Sequence, residues 1–175
     1  GLRIHPSMIL VWLSGLSAAI LFSGIAWYLM ALDPNIVSLQ FAYSPRLFGE
    51  IVHVWGPELL ERYRRHLPYD FGLLLSYGAF GYLLATRTRI FAGSRMAVSR
   101  LAQWALPIAA SFDALENGLH WWLTTAPRFG VPWVYALSAG ASAVKWPFFW
   151  PASLAWWCSP WCAPRTDGAS EDSQP

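Results

Sequence analysis

Charge is what this chain has least of. Only 13% of its 175 residues are Asp, Glu, Lys or Arg, about half the share usual in a soluble domain. The formal net charge is +2 and no basic run alternates with aromatics, which argues against a nucleic-acid partner. Two cysteines, Cys158 and Cys162, are too few to complete a zinc site. Their C-x-x-x-C spacing is neither a redox C-x-x-C nor a haem-attachment motif, and two reduced thiols at a membrane boundary is the plain expectation. No Gly-rich phosphate loop, H-E-x-x-H or G-x-S-x-G is present, so nucleotide, metalloprotease and hydrolase chemistries have no signature here. Gly1 to Ser7 also lacks the charged start, short apolar stretch and cleavage site of a secretory signal.

What the chain has is apolar length. Hydrophobic residues make up 55% of it, with 12 Trp, a side chain suited to membrane interfaces because its ring is apolar and its N–H is not. Four apolar segments, at about 8–31, 70–86, 101–125 and 132–158, reach the length a bilayer crossing needs. They predict an all-α membrane protein of four transmembrane helices, one domain over 1–165, followed by a polar tail at 166–175. Small residues give faces for close helix contact: Ser14, Gly15, Ser17, Ala18, Ala19, Ser23 and Gly24 in the first, Gly72, Gly78 and Gly81 in the second, Ala136 and Gly140 in the fourth. Pro107 is expected to kink the third segment, and Pro147 and Pro151 to kink or end the fourth.

The connection between the first two segments carries its own signals. Ser44 followed by Pro45 reads as a helix start. Leu47, Phe48, Ile51, Val52 and Trp55 then recur at helical spacing, predicting a short amphipathic helix lying at the interface, broken by Gly56-Pro57. A second short helix is expected over 58–66, its mixed charges solvated. The next connection holds Arg87, Arg89, Arg95 and Arg100 without an acid. With Trp55, these arginines are the expected lipid-interface residues. Positive-inside logic places them, and both termini, on the cytoplasmic or matrix side of a bacterial or mitochondrial inner membrane.

The chemistry concentrates in the third segment. Asp113, Glu116, Asn117 and His120 are spaced i, i+3, i+4, i+7 and share one helical stripe. Facing lipid, each acid would cost roughly 2.5–3.5 kcal/mol at mid-bilayer, so the stripe must face helices, a cavity or a ligand. One reading is a proton or metal site, or a pocket for a lipid or quinone head group. The other is a structural network that fixes helix register. A di-iron bundle needs Glu-x-x-His on two helices, a pattern absent here, and a single deep histidine argues against haem. No metal or other cofactor is expected, and a lipid or quinone is the ligand the stripe would take. Lys145 lies about mid-segment in the fourth helix and is expected to pair with Asp113 or Glu116. Asp70 and Tyr77 share a face of the second, where Asp70 is expected to favour the helix N-terminus. Glu50, His53 and His66 offer surface metal ligands only weakly, and a solvated face is the plainer expectation.

Three pieces in this order resemble a group of small four-span integral membrane proteins: Leu39-Gln40-Phe41-Ala42-Tyr43-Ser44 leading through Phe48 and Ile51 to Trp55-Gly56, then Asp70 with Tyr77, then Asp113-x-x-Glu116-Asn117. The likeness covers about residues 30–125. It implies a four-helix fold, with Asp70, Asp113, Glu116 and Asn117 acting as a set, and implies no activity. Small size and the lack of any complete catalytic motif point to a non-catalytic accessory or assembly subunit of a larger membrane complex, by class an energy-transducing one such as a respiratory chain. Its partners would be membrane lipids and other integral membrane subunits. The alternative is a membrane-embedded enzyme or lipid- or quinone-binding protein using the stripe.

Overall fold

The computed structural model describes residues 6–88, 90, 91 and 93–158, and the side chains of those within 8–150. Among them the structure is all-helical: α1 Pro6–Leu29, α2 Ile36–Gln40, α3 Pro45–Arg87, α4 Met96–Leu123 and α5 Pro132–Cys158. One described helix, over Met8–Leu29, is long and apolar enough by itself to cross a membrane. The other long helices mix their apolar residues with inward-turned Asp, Glu, His and Lys, and with Trp, Tyr and Pro. This is why their average polarity is higher.

Helix α3 departs most from expectation. Ser44 caps it as the Ser-Pro pair predicts, its hydroxyl accepting from the Leu47 N–H at 3.3 Å. Gly56, at φ 65° and ψ −177°, takes a left-handed φ that residues with a Cβ avoid and breaks the helix beside Pro57. The segment that follows does not stop at His66, however. It runs through Pro68 to Arg87, so the expected charged helix and second span are one element. Its arginines are not simply solvated. Arg62 donates to the Tyr28 carbonyl at 3.2 Å and Arg64 to the Thr124 carbonyl at 2.9 Å. Cations thereby meet the carbonyl-rich C-terminal ends of α1 and α4.

The amphipathic segment before Gly56 folds over the end of the bundle. Phe48 meets the rings of His120 and Tyr135 edge-on, at 5.5 and 5.2 Å between centroids. Trp55, expected at the lipid interface, is instead 3% exposed, and its indole N–H donates to the Pro34 carbonyl at 2.7 Å. The physical reason is the short helix α2, capped by Asn35 through the Ser38 N–H at 3.2 Å. It brings the 32–42 stretch back over α3, and Leu32, Leu39 and Ala42 join one buried cluster with Phe48, Trp55 and Tyr63.

Neighbouring long helices run antiparallel, with α3 packed between α1 and α4, and α4 between α3 and α5. Part of the small-residue faces lies at these contacts, whereas Ala19, Ser23 and Gly24 of α1 and Ala136 and Gly140 of α5 are exposed, because those stripes turn away from the neighbouring helices. A Cβ at Gly15 would stand 2.9 Å from the Phe80 ring, and one at Gly81 only 2.6 Å from Leu106 Cβ. Pro107 does not end α4, and α5 continues past both Pro147 and Pro151 to Cys158.

Candidate functional site

A polar seam joins α3, α4 and α5. On α4, Asp113, Glu116, Asn117 and His120 are all buried, because that stripe faces the neighbouring helices. On α5, Ser138, Ser142 and Lys145 follow at i, i+4, i+7 and are buried as well. The Lys145 ammonium, the only lysine of the chain, sits 2.7 Å from Asp113 Oδ1 and 2.8 Å from Glu116 Oε2. Tyr77 donates its hydroxyl to Asp113 Oδ2 at 3.0 Å, and Ser142 donates to Glu116 Oε2 at 2.6 Å. One cation thus bridges two carboxylates, each of which also accepts a hydroxyl. A buried ion pair is sustained only when further hydrogen bonds satisfy its remaining polar atoms.

Asp70 is not at a helix N-terminus. It lies inside the unbroken 57–87 segment and accepts from Asn117 Nδ2 at 2.5 Å. The expected helix-end role is therefore corrected: continuity of α3 back to Pro57 places Asp70 opposite α4. A third contact completes the α3–α4 register, with the fully buried Tyr63 hydroxyl and His120 Nδ1 sharing a hydrogen bond at 2.5 Å. His66, one turn on, donates its Nδ1–H back to the Tyr63 carbonyl. Tyr63 was the residue sequence reasoning missed, hidden among the arginines of 62–65, while His66 was weighed only as a weak surface metal ligand and is buried instead. The signal was there: Tyr63, Asp70 and Tyr77 fall seven apart, the repeat of a stripe packed along one neighbour.

Other candidates separate. Glu50 is exposed and holds Arg46 at 2.8 Å, His53 is exposed, and His66 is buried against Tyr63. These three do not meet, and among the described residues no group of three His, Cys, Asp or Glu could hold a metal ion. Arg87, Arg95 and Arg100 are exposed at the turn between α3 and α4. Arg89 and Cys162 lie outside the described residues, as does the side chain of Cys158.

The charged groups of the seam satisfy one another, and of its side chains the Ser138 hydroxyl is buried without a hydrogen-bond partner. Acid–base or ligand chemistry would need a bound molecule to reach Asp113, Glu116 or His120. A cleft of about 870 Å³ and a smaller one of about 220 Å³ beside it are lined by none of Asp113, Glu116, His120 and Lys145. Comparisons with protein-family models, curated proteins and solved structures found no match for this chain.

Proposed function

We propose that α1, the 57–87 part of α3, α4 and α5 all cross the bilayer, and that the polar seam locks them in register. On this reading the protein is a non-catalytic accessory or assembly subunit that works beside other membrane proteins. One observation carries the membrane part: the polarity of the bundle is inverted. Glu116 and Lys145 are 1% and 7% exposed, while Leu75, Leu101 and Trp133 stand 69%, 59% and 66% exposed. Water would favour the reverse, whereas lipid solvates the apolar faces and penalises charge. The non-catalytic part is supported by the mutual pairing of the charged groups, where the ammonium, both its carboxylates and the Tyr77 and Ser142 hydroxyls all have partners, although the buried Ser138 hydroxyl has none.

Single cysteines at Gly93 and Phe129, in a chain whose Cys158 and Cys162 are Ser, test the crossings. Gly93 precedes α4 and Phe129 follows it, so an impermeant maleimide should label them from opposite sides of sealed vesicles. Labelling from one side contradicts the reading. For the accessory role, native electrophoresis of gently solubilised membranes should place the chain in an assembly larger than itself. A lone monomer there contradicts it.

A further inference from the structure

The 870 Å³ cleft opens between α1 and α3 beside the end of α4, and its volume falls within the roughly 300–1,000 Å³ of small-molecule sites. It is long and polarised. On α1 its lining runs from Ile20 to Tyr28, a rise of about 12 Å along a helix. The Tyr28 end is level with the charged start of the 57–87 segment, because Arg62 donates to the Tyr28 carbonyl at 3.2 Å. The deeper end is apolar, where Leu21 approaches Gly72.

Charge gathers only at the Tyr28 end, where Arg64 and Arg65 oppose the single acid Glu61. Glu61 takes the Arg65 Nε at 3.0 Å. Arg64 is held by the Thr124 carbonyl and lies over the Trp121 ring, 5.3 Å from its centroid. One guanidinium charge is therefore left in excess at the mouth of an apolar slot. Guanidinium groups bind phosphate through parallel charged hydrogen bonds. Gly24 lines the slot and leaves room beside α1. A Cβ at Gly24 would meet nothing within 4 Å, in contrast to Gly15 on the same helix.

We infer that this cleft retains one anionic phospholipid, with its phosphate at Arg64 and Arg65 and an acyl chain along Ile20, Leu21 and Ile25. The inference rests on the membrane reading above and concerns surfaces outside the polar seam.

The test uses the full chain in mild detergent, offered phosphatidylglycerol or phosphatidylcholine of the same acyl length, and reads retained lipid by native mass spectrometry. One phosphatidylglycerol per chain is expected, preferred about tenfold. Gly24→Leu, which fills the slot, should abolish retention, and Arg65→Glu should remove the preference. Gly140→Leu, at another glycine whose Cβ would meet nothing within 4 Å, should retain lipid as the unaltered chain does. Equal retention of phosphatidylcholine, or full retention by Gly24→Leu, overturns the site. A chain that stays in carbonate-washed membranes yet retains no phosphatidylglycerol overturns the lipid site alone. Release by carbonate overturns the membrane reading beneath it.

Discussion

The two sides of α3 are held by different means. Toward α4 it presents Tyr63, Asp70 and Tyr77, each hydrogen-bonded to a residue of the facing helix, and ends in glycines that admit Leu106 and Ala110. Toward α1 the side-chain hydrogen bonds among the described residues are Arg62 to the Tyr28 carbonyl at the end of α1, at 3.2 Å, and one along the packed length between the Ser17 and Ser76 hydroxyls, at 3.0 Å. Beyond it the helices part into a cleft. Apolar contact between helices in lipid has little directional preference, since lipid tails are as apolar as the side chains they replace. On the proposed membrane reading, register comes from polar pairs and close-fitting small residues. The α4 side has both, while the α1 side has a few small residues and the Arg62 tie at its end, and can leave space for a ligand.

Substitutions can break or sharpen that contrast. The largest effect is expected at Lys145. Lys145→Met strands two buried carboxylates and should lower stability in detergent by about 3–5 kcal/mol, read from thermal or denaturant unfolding. Gly81→Ala comes next, because its Cβ would lie 2.6 Å from Leu106 Cβ; overpacking of this kind costs about 1–3 kcal/mol. Tyr63→Phe leaves the buried His120 Nδ1 without its partner, a loss of about 1–3 kcal/mol. Gly24→Ala should change stability by no more than about 0.5 kcal/mol, since its Cβ enters open space. If Gly24→Ala proves as damaging as Gly81→Ala, the two faces of α3 do not differ as described.

The sequence carried the inward stripe of α4 in plain spacing, because a charged group in an apolar run has few places to go. Of the small residues it offered, Gly78 and Gly81 meet α4 while Ala136 and Gly140 are exposed. The start of α5 was legible as well, as a long apolar run opening at Pro132. What it hid lies in residues 44–70. There Arg62, Arg64 and Arg65 made a solvated surface helix the natural expectation, although two of them cap neighbouring helix ends. Tyr63 sits between those arginines, and its hydroxyl meets His120, which only the facing α4 makes visible. Trp55 was placed at the interface because tryptophan favours it, yet the Pro34 carbonyl gives its N–H a buried partner. The Asn35-capped turn of α2 that brings Pro34 near leaves no apolar repeat to recognise.

The central claim is that charge inside this bundle is mutually neutralised rather than hydrated. A stability comparison in one detergent between Lys145→Met and the triple variant Lys145→Met, Asp113→Asn, Glu116→Gln tests it most directly. Neutralising the carboxylates along with the lysine should recover most of what the single substitution loses. A single variant as stable as the unaltered chain, or a triple variant no better than the single one, would contradict it.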